Sequence, residues 1–231
     1  MDSVPHNINL PLIPCEVRYS QSDEAQRVAE VFGKTDWYKA NGYSPLLPQD
    51  LPAEQFGDRK AVDAAVKGEY DAARYQGEAA MLEQAWHKVA ERARMTQEAI
   101  PGGRRLGSVR ITITHYGVGG SYDTRTNEII INTATKAPEL YSFTLAHESV
   151  HLMIEGFIKK YAVSHWRKER LVDLIVAENF SELKHIQRGK LTEEEETQIH
   201  TLFREHYPDI EAICKKLAAV KGPATADVFG T

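Results

Sequence analysis

The sequence predicts an α+β protein: a mainly helical region over residues 1–105, then a small antiparallel sheet and a group of helices over 106–231. Three observations predict it. Residues 53–98 are dense in Ala, Glu, Lys, Gln and Arg, which are strong helix formers. Val109-Arg110-Ile111-Thr112-Ile113-Thr114 alternates with period two and is mostly β-branched. His147-Glu148-Ser149-Val150-His151 then sets two histidines four residues apart inside a helical pattern. At 231 residues the chain fits two regions or one compact domain.

The elements follow in order. Pro5, Pro11 and Pro14 favour an extended start, because each disfavours helix in the residue before it. Ser22-Asp23-Glu24 opens a short helix that stops near Gly33. Gly42, Pro45, Pro48 and Pro52 make 38–52 an irregular loop. Gly68 and Gly77 predict breaks in the helical stretch that follows, and Tyr75, Ala79, Leu82, Trp86 and Val89 mark its buried face. Glu128–Asn132 is a second strand after Val109–Thr114, with Gly117, Gly119 and Gly120 in between. A helix from Pro138 to Glu155 stops at Gly156, and a second begins after Ser164 and runs to about Arg188. Thr192 and Glu195 form a capping-box pattern for a last helix.

Composition removes several classes. The hydrophobic fraction of 42% argues against extended disorder. No apolar run approaches the ~20 residues of a membrane span. With 28 Lys+Arg against 33 Asp+Glu, a net charge of −5, no basic surplus points to nucleic acid. Two distant cysteines, Cys15 and Cys214, form no disulfide framework and no metal knuckle. The first residues lack the pattern of a secretory signal, so a cytoplasmic location is the default expectation, and specialised export as an effector leaves no readable mark.

The chemistry lies in the H-E-x-x-H string. On a helix His151 stands about 40° around the axis from His147, one turn on, and Glu148 flanks both. Two ring nitrogens can then reach one Zn²⁺ while the carboxylate stays beside the water the ion holds. A third protein ligand is needed. Glu155 lies about 12 Å along the axis from His147 and cannot easily join. Ile154 and Phe157 occupy the positions where a longer H-E-x-x-H-x-x-G-x-x-H pattern needs Gly and His. Glu169 and Asp173, four residues apart on the next helix, can supply the ligand and an acceptor for a histidine N–H. The plainer alternative leaves both as surface charges paired with Lys168 or Arg170, and Glu178 is the reserve ligand.

His147-Glu148-x-x-His151 followed by Glu169-x-x-x-Asp173 resembles the gluzincin branch of zinc metallopeptidases, the thermolysin-like class, as a compact member. The resemblance covers residues 108–181 and leaves the N-terminal region unmatched. It implies a zincin-type core, one Zn²⁺ held by His147, His151 and Glu169, Asp173 behind a histidine, and Glu148 as general base in the hydrolysis of a protein or peptide. Tyr161, or alternatively His165, is the candidate that stabilises the oxyanion. It also implies that substrate pairs with an edge strand within 118–131. Two other readings stand beside it. One is a non-catalytic binding or regulatory module with a structural or vestigial zinc site, and the other is a helical interaction protein in which the string is coincidence.

Overall fold

The computed structural model describes residues 12–183 and 189–219. The chain is α+β. After β1 (Cys15–Arg18) come α1 (Gln21–Gly33) and α2 (Thr35–Ala40), then α3 (Arg59–Glu69) and the long α4 (Ala72–Ala99). The remaining strands are β2 (Val109–Thr114), β3 (Gly120–Asp123) and β4 (Glu128–Asn132). They are followed by α5 (Tyr141–Lys160), α6 (His165–Asn179), α7 (Glu193–His206) and α8 (Ile210–Ala219).

Local chemistry sets most boundaries. Ser20, just before the expected opening at Ser22, caps α1 by accepting from Asp23 N at 3.0 Å. Asp58 and Asp71 cap α3 and α4 in the same way. The break between them falls at Tyr70, whereas Gly77 lies inside α4 without interrupting it. Thr192 and Glu195 form the reciprocal capping box of α7. The last helix divides at Tyr207-Pro208, since proline has no N–H to continue α7.

Two helix ends differ from expectation. Helix α5 runs through Gly156 to Lys160, because its interior is buried on nearly every side and that packing outweighs glycine's cost of about 1 kcal/mol. Helix α6 stops at Asn179, where Phe180 turns into the core. Residues 180–183 of the extension expected to Arg188 are not helical, while 184–188, with His185, and the tail from 220 onward lie outside the described residues.

The sheet corrects the antiparallel expectation. Its order is β1-β2-β4-β3, and both β1 with β2 and β2 with β4 pair in parallel. Only β3 with β4 is antiparallel. Alternation in the sequence shows that a segment is a strand but not which neighbour it takes. Gly117, at φ +87°, turns the chain out of β2 and carries β3 to the far edge, and a tight turn with Asn127 at φ +53° returns it as β4. β1, supplied by the extended N-terminal stretch, adds the other edge.

The main core joins both regions of the chain. Leu82, Trp86 and Val89 of α4, Ile111 and Ile113 of β2, Leu145 and Leu152 of α5 and Ile175 of α6 belong to one buried cluster. A smaller cluster under α1 and α3 gathers Val28, Leu51, Phe56, Val62, Val66 and Tyr116. Where α4 meets the sheet, the buried carboxylate of Glu78 accepts from Arg74 Nε at 2.9 Å and Thr133 Oγ1 at 2.7 Å, and meets His115 Nε2 at 2.9 Å. Among the described residues no helix is long and apolar enough to cross a membrane.

Candidate metal centre

Helix α5 packs against β3 on one side and α6 on another. This places His147, Glu148 and His151 in the interior, at 1%, 6% and 2% exposure. Glu169 and Asp173 come from one face of α6 and are also buried.

Three atoms converge. His147 Nε2 lies 3.0 Å from His151 Nε2 and 3.1 Å from Glu169 Oε2, and His151 Nε2 lies 3.3 Å from the same oxygen. Donor atoms on a tetrahedral ion at 2.0–2.1 Å stand about 3.3 Å apart. The group can therefore hold a metal ion with little movement. On the far side of His147, Nδ1 faces Asp173 Oδ1 at 3.3 Å. That contact turns Nε2 toward the other two ligand atoms and fixes the tautomer.

The charges fit a cationic centre. Burial alone would lower the pKa of His147, but Asp173 and Glu169 against its ring raise it to about 10. Burial takes His151 down to about 3. Glu169 is held well below the usual carboxylate range, because the two histidines outweigh the cost of burial. Two ring nitrogens and a carboxylate oxygen thus crowd around one point that can take a positive charge, a proton on His147 or a metal ion. Glu148 is pushed the other way, up to about 7, chiefly by burial.

Glu148 points to the sheet side. A β-carbon built on Gly120 would collide with Glu148 Oε1 and stand 3.0 Å from Thr144 Cγ2. Gly120 begins β3, whose only strand partner is β4, so β3 is an edge strand beside the cluster. This is the edge within 118–131 that the sequence marks.

The candidates for a second electrophile separate. Tyr161 ends α5 ten residues beyond His151, about 15 Å along the axis, and its hydroxyl bonds Glu211 at 2.9 Å. It belongs to the contact between α5 and α8 and not to the cluster. Because α5 continues to Lys160, Tyr161 falls at its C-terminal end beside Glu211 of α8. His165 stays close, with Nδ1 3.6 Å from Glu169 Oε1 and the ring held by Tyr43 Oη at 2.8 Å from Nε2. Burial lowers its pKa to about 4. Glu178 is exposed and is no ligand.

Three residues near the cluster, Tyr122, Lys168 and Lys136, carried no sequence signal as site residues, whereas Tyr43, beside Pro-rich turns, reads from the sequence as lining a cleft or stapling its loop to the body. Tyr43, from the loop after α2, stacks on Trp37 and Trp166 and meets His165. Burial, then Glu169 and Glu148, raise its pKa. Tyr122 of β3 stacks on His151, and Lys168 of α6 stands beside Glu169. The stem of Lys136 lies over Gly119, with its charge close enough to act on Glu148. Period two could have paired Tyr122 with Gly120 on one strand face, but only after β3 was known to be a strand.

No family model, no curated protein and no solved structure matches this chain.

Proposed function

We propose that the chain is a zinc-dependent metallopeptidase that hydrolyses peptide bonds of a protein or peptide substrate. One observation carries this reading: His147 Nε2, His151 Nε2 and Glu169 Oε2 meet within 3.3 Å of one another. Glu148 supports it, because it stands next to His147 on the same helix without itself being one of the three converging ligand atoms.

In this reading His147, His151 and Glu169 bind the ion, and Asp173 orients His147. Zinc, when bound, supplies an acidic water and a polarised carbonyl. Glu148 would hold a proton taken from the attacking water on its carboxylate and hand it to the leaving amine. Burial raises the pKa of Glu148, which suits its carboxylate to keeping that proton between the two transfers. The free edge of β3 receives an extended chain by backbone hydrogen bonds. Burial keeps bulk water from the transferring proton.

The test is metal stoichiometry by mass spectrometry, with peptide-library hydrolysis, for the wild type, Glu169→Ala and Glu148→Gln. The expected result is near one equivalent of zinc in the wild type and in Glu148→Gln, and loss of zinc in Glu169→Ala. Hydrolysis is expected in the wild type alone. A wild type that takes up no zinc at neutral pH removes the proposal, as does full activity in Glu148→Gln.

A further inference from the structure

The two oxygens of Glu169 have different surroundings. Oε2 faces the two imidazoles, as described. Oε1 faces away, 3.3 Å from Lys168 Nζ. A residue next to Glu169 on a helix should project about 100° away from it. Lys168 instead bends back, and its ammonium is anchored from two other elements. It donates to Tyr122 Oη at 3.2 Å and lies 5.4 Å from the centre of that ring. The Tyr122 hydroxyl in turn donates to Glu155 Oε2 of α5 at 2.6 Å.

Tyr122 also acts through its ring. It lies on the His151 ring with centroids 4.6 Å apart and planes inclined by 10°. One small network therefore touches two of the three ligand residues, Glu169 through an ammonium and His151 through a stacked face. Its charged members are mostly buried, with 15% of the Lys168 side chain and 12% of Glu155 exposed. Holding an ammonium there costs desolvation, which the hydrogen bonds and the two carboxylates offset.

We infer that Lys168, Tyr122 and Glu155 are positioning residues of the metal centre: Lys168 engages Oε1 so that Glu169 offers a metal one oxygen and not two, and Tyr122 fixes the plane of His151. The inference rests on the metal-site reading above. Without the ammonium, the neighbour left to Oε1 is His165 Nδ1 at 3.6 Å, too far for a firm hydrogen bond, and both oxygens of Glu169 can turn toward a bound ion. The predicted consequence is a higher coordination number and weaker binding.

The experiment uses cobalt(II) in place of zinc, because cobalt(II) absorbs visible light far more strongly in four-coordinate than in five- or six-coordinate sites. The wild type is titrated first, and absence of any cobalt or zinc binding at that stage removes the parent reading and this inference with it. Lys168→Met is then compared with Lys168→Arg and Tyr122→Phe. The expected result for Lys168→Met is a several-fold weaker visible band and about 10–100-fold weaker zinc binding, at unchanged far-UV circular dichroism. Lys168→Arg restores most of the band, because a guanidinium can still engage Oε1. Tyr122→Phe keeps the ring stack but removes the anchor of Lys168, and shifts the band in the same direction by less. A wild-type spectrum and affinity in Lys168→Met overturns the inference. If Lys168→Met does not fold, unchanged values in Tyr122→Phe overturn it.

Discussion

The carboxylate of Glu148 rests against the backbone of Gly120, on the strand that faces α5 across the cluster. Gly120 does not have a positive φ, so alanine fits the backbone there and the effect of substitution is steric. Gly120→Ala is expected to displace the carboxylate while leaving the three ligand atoms in place. Zinc stoichiometry should stay near one, stability should fall by about 1–3 kcal/mol, and hydrolysis should fall by about a hundredfold or more. Thermal denaturation, metal analysis and single-turnover rates check this together. Wild-type turnover in Gly120→Ala would show that Glu148 does not act from this position.

Asp173 Oδ1 stands 3.3 Å from His147 Nδ1 in the interior. Asp173→Asn keeps the shape and removes the charge that makes the imidazole a better donor to a metal. The zinc dissociation constant is expected to rise about 10–100-fold, read by competition against a chelator of known affinity. Equal affinity in the two proteins would mean that Asp173 only packs.

Tyr161 supplies a control. Its hydroxyl bonds Glu211 at the α5–α8 contact, away from the cluster. Tyr161→Phe is expected to leave zinc binding and hydrolysis within about twofold of wild type and to cost no more than about 1 kcal/mol in stability. A large fall in turnover with unchanged KM would return Tyr161 to the reaction.

Glu78 links the fold to pH. Burial works against its charge, but His115, Thr133 and Arg74 outweigh that and lower its pKa below the ordinary 4.5. A carboxylate with a depressed folded-state pKa stabilises the protein above its unfolded value, and that contribution is lost as pH falls through the folded value. Glu78→Gln is therefore expected to be less stable than wild type at neutral pH by about 1–3 kcal/mol. The gap should close below about pH 4.5. Urea melts at pH 7 and pH 3.5 measure it, and a gap that widens in acid would contradict the sign.

The readable parts of the sequence were those governed by local chemistry. The capping box at Thr192 and Glu195 is plain in the sequence, and Val109–Thr114 and Glu128–Asn132 announce themselves by β-branching, whereas the caps at Asp58 and Asp71 were not read from it. His147, Glu148 and His151 share one helix, so their spacing alone sets them together. Glu169 and Asp173 were legible as a pair at i, i+4, and tertiary packing brings them to the histidines. What escaped depends on contacts between distant segments. β3 has only four residues, GSYD, with neither branching nor alternation of apolar residues. Its pairing with β4 follows from where Gly117 sends the chain, and the parallel pairing of β1 with β2 from the crossover through α1–α4 that separates them. Tyr43 reaches the site from 122 residues before its partner His165, a separation no periodicity records.

That last contact has a kinetic meaning. The loop after α2 meets His165 through Tyr43 and then pairs Leu46 with Gly117 through two backbone bonds of 2.9 and 2.7 Å. It therefore bridges from α6 to the turn before β3, the two elements on either side of Glu148. On the metallopeptidase reading proposed above, a chain approaching Glu148 from this side would have to displace the loop; the apparent affinity would then fall with the rarity of the open state, and the maximal rate would follow the frequency of opening.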